Sequence, residues 1–147
     1  MRRFAIILAA LAAMLVVLAG CGSSETNDYR GDVKEVQEKY FPDLQKYSTE
    51  ATSSMSTDPT AAGAALDQLS ATATKLSDEI AAIEAPDDKQ QLADQLVGAY
   101  STLATAATDL KTALSTNDIE AVNQAIEGFN KAQQDESAAV TAFNDAE

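Results

Sequence analysis

Histidine is absent from this 147-residue sequence and cysteine occurs once. Imidazole acid/base chemistry is therefore excluded, and so is nearly every zinc, copper or haem site, because those are built from His and Cys ligands. A lone cysteine cannot close an intramolecular disulfide. Aromatic side chains make up only 5% of the residues, and no run alternates apolar with polar residues, so strand composition and strand periodicity are both missing. Basic residues are scarce as well: 10 stand against 23 acidic ones, a net charge of −13. A surplus of that sign repels nucleic acid and anionic headgroups, and there is no basic patch on which to build a nucleic-acid interface. Neither the spacing of a calcium loop nor a glycine-rich phosphate cradle occurs.

Carboxylates and hydroxyls are what remain for chemistry. The pairs Asp78-Glu79, Asp87-Asp88 and Asp135-Glu136 invite a reading as acid/base or cation sites, but sequence neighbours point in different directions on a helix. Asp87-Asp88 reads better as a cap at a helix N-terminus, and the other two pairs as solvated faces. Serine and threonine are plentiful with no residue to activate them. The expectation is no catalytic residue, no metal site and no cofactor, hence no enzyme.

The N-terminus is more explicit. Met1-Arg2-Arg3 forms a positive n-region, and Phe4 to Leu18 is an unbroken apolar stretch, the profile of a signal peptide. It is shorter than the roughly 20 residues that a settled membrane-spanning helix needs. The next residues, Leu18-Ala19-Gly20-Cys21, resemble the lipobox of bacterial lipoproteins, in which small residues precede a cysteine. The resemblance covers residues 1 to 21 only and implies that the Cys21 thiol receives a diacylglyceryl group, that residues 1–20 are removed, and that Cys21 becomes the first mature residue. Two acyl chains, at about 0.8 kcal/mol per buried methylene, give stable anchoring. The implied location is the extracytoplasmic face of a cell membrane, with lipid on Cys21 as the membrane contact. The 127 residues left after cleavage have lost two arginines and carry a net charge of −15.

Residues 21–28 then read as the lipidated cysteine and a polar tether, and residues 29–147 as one helical domain. Four segments repeat apolar residues at intervals of three and four. In the first, Tyr29, Val33, Val36, Tyr40, Leu44, Tyr47 and Ala51 form a stripe, with Pro42 expected to kink or split the helix. Asp58-Pro59 offers an N-cap and a first-turn proline to the second, whose stripe is Leu66, Leu69, Ala73, Leu76, Ile80 and Ile83. After Pro86, Asp87 and Gln90 have capping-box spacing, followed by Leu92, Leu96, Ala99, Tyr100, Leu103, Ala107, Leu110 and Leu114. Asn117 and Glu120 repeat that spacing before Ile119, Val122, Ile126, Phe129, Val140 and Phe143. The fold class is all-α: an up-and-down bundle of three to four helices, three if Pro42 splits off an N-terminal appendage. A coiled coil between chains fits less well, since the stripes lack ordered opposite charges at their edges, and a monomeric domain is expected. Gly98 and Gly128 suggest close helix approach.

Folding the segments back on their turns gathers Tyr40, Phe41, Tyr100, Gln133 and Glu136 in one middle layer, the candidate pocket. Gln133 and Glu136 occupy places where the spacing from Phe129 to Val140 wants apolar groups. Either the seam rotates onto Ala132 and Ala139, leaving both polar side chains in solvent, or they line a pocket with the Tyr100 hydroxyl. The desolvation cost of unpartnered polar groups favours rotation. Functionally, the sequence points to a non-enzymatic binding or interaction lipoprotein with an envelope protein as partner. The alternative is an extracytoplasmic sensor or accessory subunit with a small ligand between its helices; an enzyme is a distant third.

Overall fold

A computed structural model describes residues 24–116 and 118–146, with side chains from residue 28 onward. The apolar N-terminal run, the Leu18-to-Cys21 motif and Asn117 lie outside the described residues. Within them the chain is all-helical: α1 (Ser24–Ser54), α2 (Pro59–Ala81), α3 (Gln90–Leu114) and α4 (Ile119–Asp145). Helix α1 already begins at Ser24, so residues 24–28, expected as tether, are helical.

Pro42 sits inside α1 without splitting it. Pro42 is exposed, on the solvent side of the helix, where a missing backbone hydrogen bond costs least, while Tyr29, Val33, Leu44 and Ala51 on either side of it stay buried in one core. The three-helix alternative is thereby set aside, and four helices form the bundle among the described residues. Asp58 caps α2 as its sequence position suggests, accepting from the Ala61 N–H at 3.0 Å with Pro59 in the first turn. The other two caps differ from expectation. Asp87 does not cap α3. Residues 87–89 are used up in a turn closed by the Lys89 N–H to the Pro86 carbonyl (2.8 Å), and Lys89 takes the N-cap place without a side-chain capping hydrogen bond. Gln90 reaches back to the Ala85 carbonyl instead. At α4 the cap is Asp118, one residue beyond Asn117, and its carboxylate accepts from the N–H groups of Glu120 and Ala121 at 2.9 and 3.2 Å.

Consecutive helices pack antiparallel. Ser70 of α2 donates to the Ala104 carbonyl of α3, and one end further along Ser77 donates to the Val97 carbonyl. These bonds run directly onto backbone, which is possible because Ala65, Ala73, Ala104 and Ala107 keep the α2–α3 seam thin. The first and last helices meet differently. Arg30 of α1 donates to the Phe143 and Asn144 carbonyls at the end of α4, satisfying carbonyls that the helix leaves open and placing a positive charge at the negative end of its dipole. Tyr29 packs edge-on against Phe143 with ring centroids 5.9 Å apart, and near the middle Gln133 donates to Ser48 at 2.8 Å. Among the described residues no α1 Cα comes within 8 Å of an α4 Cα, so side chains alone close this seam.

Gly98 and Gly128 do not mark close approach: both are exposed, and an added Cβ would meet nothing within 4 Å at either. Alanine at either place should raise stability by about 0.5 to 1 kcal/mol, since glycine inside a helix loses more backbone freedom on folding. Leu76→Ala, by contrast, should cost about 2 to 5 kcal/mol, because Leu76 is fully buried. Urea unfolding of the three variants checks both signs; a loss of stability in Gly98→Ala would mean that a neighbour approaches there after all.

Candidate functional site

The inward face of α4 is Phe129, Ala132, Glu136, Val140 and Phe143, with steps of three and four and no break. Glu136 is therefore part of the buried stripe, at 8% exposure, and the expected rotation that leaves it in solvent does not occur. The reason is a comparison of magnitudes. Rotating the helix would uncover Phe129 and Phe143 at about 1.5 to 3 kcal/mol each, whereas a carboxyl group can lessen its burial cost by taking up a proton.

Tyr100 reaches the layer from α3 and is wholly buried. Its hydroxyl accepts a hydrogen bond from Gln37 Nε2 of α1 at 3.1 Å. Gln133 is half-buried and bonds Ser48. Gln37 and Ser48, both buried, were not singled out from sequence, although each follows a core residue of α1 by four, Val33 and Leu44. Phe41 is half-buried against the core and shares the α4-facing edge of α1 with Gln37 and Ser48 by helical spacing. Tyr40 does not join the layer. Its hydroxyl donates to Glu79 of α2 at 2.5 Å, beside a Lys39–Glu79 ion pair at 2.9 Å. Those two donors, Tyr40 first, hold Glu79 below the usual carboxylate range.

The layer is thus a string of polar groups crossing the bundle from Ser48 and Gln133, past Glu136, to Tyr100 and Gln37, packed between apolar layers rather than opening as a cavity. Two shallow depressions lie elsewhere, on the outer face of α3 and α4, one beside Thr105, Gln124 and Gly128 and the other beside Ala99, Ala138 and Ala142. Glu136 is the exception within the string: it has no hydrogen-bond or ion-pair partner among the described residues. Burial alone pushes its carboxyl up to about 7. The Tyr100 hydroxyl is raised well above the ordinary phenol value, by burial first and the Glu136 charge second, and less by these than it would be without the Gln37 bond. The two groups sense one another, yet no hydrogen bond joins them. Among the described residues no cluster of three or more His, Cys, Asp or Glu could hold a metal ion.

The chain matches no protein-family model, no curated protein and no solved structure.

The Glu136 carboxyl binds its proton up to about pH 7 in the folded chain and to about pH 4.5 when unfolded. Between those values the unfolded state holds fewer protons than the native state, so this residue's contribution to stability falls as pH rises and levels off above pH 7. Glu136→Gln keeps the shape and removes the charge. The variant should match the parent near pH 4.5 and exceed it by up to about 3 kcal/mol at pH 8. Chemical denaturation of both proteins across that range measures the difference; a constant difference at all pH values would place the carboxyl in solvent.

Proposed function

We propose that this chain is a bacterial lipoprotein: a non-enzymatic binding module held by lipid on Cys21 at the extracytoplasmic face of a cell membrane. The observation that carries the reading is the succession of Met1-Arg2-Arg3, the apolar run Phe4 to Leu18, and Leu18-Ala19-Gly20-Cys21 with the sole cysteine of the chain. No helix among the described residues is long and apolar enough to cross a membrane, so lipid supplies the membrane contact in this account. Residues 1–20 act as the export signal, and the mature protein is Cys21 followed by the bundle.

The start of α1 at Ser24 bears on how the module is held. Three residue steps separate Ser24 from Cys21, a reach of about 11 Å at most, so the end of the bundle containing the starts of α1 and α3 and the end of α4 faces the bilayer closely. That end carries Asp28, Asp32, Glu84, Asp87, Asp88 and Asp145, and their repulsion from anionic headgroups favours an upright bundle. The opposite end then points outward. There Ile119 is 77% exposed, an apolar side chain available to an envelope protein. A buried polar layer that holds Glu136, an acid without a protein partner among the described residues, favours the second reading, a small ligand between the helices.

Replacing Cys21 by Ser should abolish palmitate labelling and move the protein from the membrane to the soluble fraction. Label retained in Cys21→Ser would overturn the anchored reading. For the module itself, a stoichiometric protein recovered with the membrane form and lost in Ile119→Glu supports a protein partner, and melting shifts of the isolated protein with small molecules support the ligand reading.

A further inference from the structure

The apolar stripe of α4 does not begin at Phe129, its first buried residue. Upstream the same steps of three and four lead through Ile126, Val122 and Ile119, and cover is lost along the way. Ile126 is half-buried against the core, Val122 is half-buried, and Ile119 is 77% exposed, the one large apolar side chain exposed among the described residues. At the same end α2 buries Ala62 and Leu66, and α3 buries Leu110 and Ala113.

The cause is a mismatch of lengths. Gln133 of α4 bonds Ser48 of α1. From that bond α1 runs six more residues to Ser54, while α4 extends fourteen residues back to Ile119, about 9 and 21 Å at 1.5 Å per residue. The first two turns of α4 therefore stand past the end of α1 by about 12 Å. A single exposed isoleucine is ordinary on a protein surface. An apolar stripe that runs out of the core beyond its neighbouring helix is an unpaired packing face.

The charges beside this face have one sign. Residues 118–130 contain Asp118, Glu120 and Glu127 and no lysine or arginine. The Asp118 carboxylate is taken up in capping α4, whereas Glu120 and Glu127 are exposed. Seven residues apart, they stand two turns from one another along one edge of the stripe. The nearest lysines in sequence on these two helices are engaged elsewhere, Lys111 by Asp67 and Lys131 by Asp135.

We propose that this overhang of α4 docks a short basic amphipathic helix of another extracytoplasmic protein, laid where α1 would continue, with apolar side chains against Ile119, Val122 and Ile126 and Lys or Arg on Glu120 and Glu127. The proposal rests on the reading of the chain as a binding module and names the chemistry of its partner. A helix fits because its own apolar side chains recur at three and four, and its edge charges at seven, matching both features of the face. A second copy of this chain brings the same acidic edge and a net charge of −15 after loss of its first 20 residues, so it is repelled. The bilayer is out of reach in the anchored protein, because the 25 residues of α3 separate the overhang from the end near Cys21 by about 37 Å.

The test is photocrosslinking of the full chain in its native cells, with a benzophenone side chain in place of Ile119 or Val122, and in place of the exposed Gln45 and Thr105 as controls. Crosslinked peptides are sequenced by mass spectrometry. Ile119 and Val122 should give one shared adduct that the controls lack, on a segment with apolar residues at intervals of three and four and with Lys or Arg along its edge. Reversing the edge with Glu120→Lys and Glu127→Lys should lower the yield roughly tenfold or more, with the melting temperature unchanged because both side chains are exposed. Should that pair melt differently, Glu120→Gln with Glu127→Gln should lower the yield in the same direction by less. Adducts to lipid, to a second copy of this chain or to a neutral or acidic segment would overturn the surface. So would equal yields at all four positions, a yield unmoved by either charge change, or no adduct at Ile119 and Val122. Adducts confined to the controls, with palmitate still on Cys21, would overturn this surface and leave the anchored binding module standing.

Discussion

An up-and-down bundle is closed by the one seam that no turn enforces, the seam between its first and last helices. In this chain that seam depends on three side-chain links: Arg30 on the terminal carbonyls of α4, Tyr29 against Phe143, and Gln133 on Ser48. The other seams are fixed by short connections and, between α2 and α3, by alanines that let serine hydroxyls reach the opposing backbone. The location of the buried polar layer follows from this. Where backbones approach closely there is room only for small side chains; where they do not, longer polar ones fill the space and must find partners among themselves.

Four of the five polar groups in the layer do so. Gln37 is matched to Tyr100 and Gln133 to Ser48, and only Glu136 is left over. It stays buried because Phe129, Val140 and Phe143 share its stripe and fix the rotation of α4. A locally unfavourable residue held in place by favourable neighbours on the same helix is the kind of local conflict that accompanies functional positions in otherwise consistent sequences. Above pH 7, where the carboxyl is ionised, the bundle should be more stable with glutamine at that position.

The helices were legible in the sequence because spacing at three and four is a long, repeated signal. Leu66 to Ile83 and Leu92 to Leu114 fall almost wholly within α2 and α3, and most of their members are buried. Caps were less legible. At α2 and α4 a single carboxylate decides the cap, and after Pro86 the choice between Asp87 and Lys89 depends on a turn hydrogen bond that no spacing rule encodes. In the layer, Tyr100, Gln133 and Glu136 were placed at one height by counting from the turns, but counting does not give side-chain direction. Tyr40 turned to Glu79 across the α1–α2 seam, and Gln37 and Ser48 took the inward places that polar residues were not expected to fill. Desolvation of Glu136 taken alone favours solvent, whereas the whole apolar stripe sets the helix rotation.

The central claim is that Glu136 is held on the buried stripe of α4, without a protein partner among the described residues. The most direct measurement is a carbon-13 NMR titration of its side-chain carboxyl in the folded, ligand-free protein, assigned by the loss of its signal in Glu136→Gln. The account predicts an apparent pKa of about 7. A midpoint at or below the ordinary glutamate value would mean that the carboxylate is solvated or already partnered, and would contradict it.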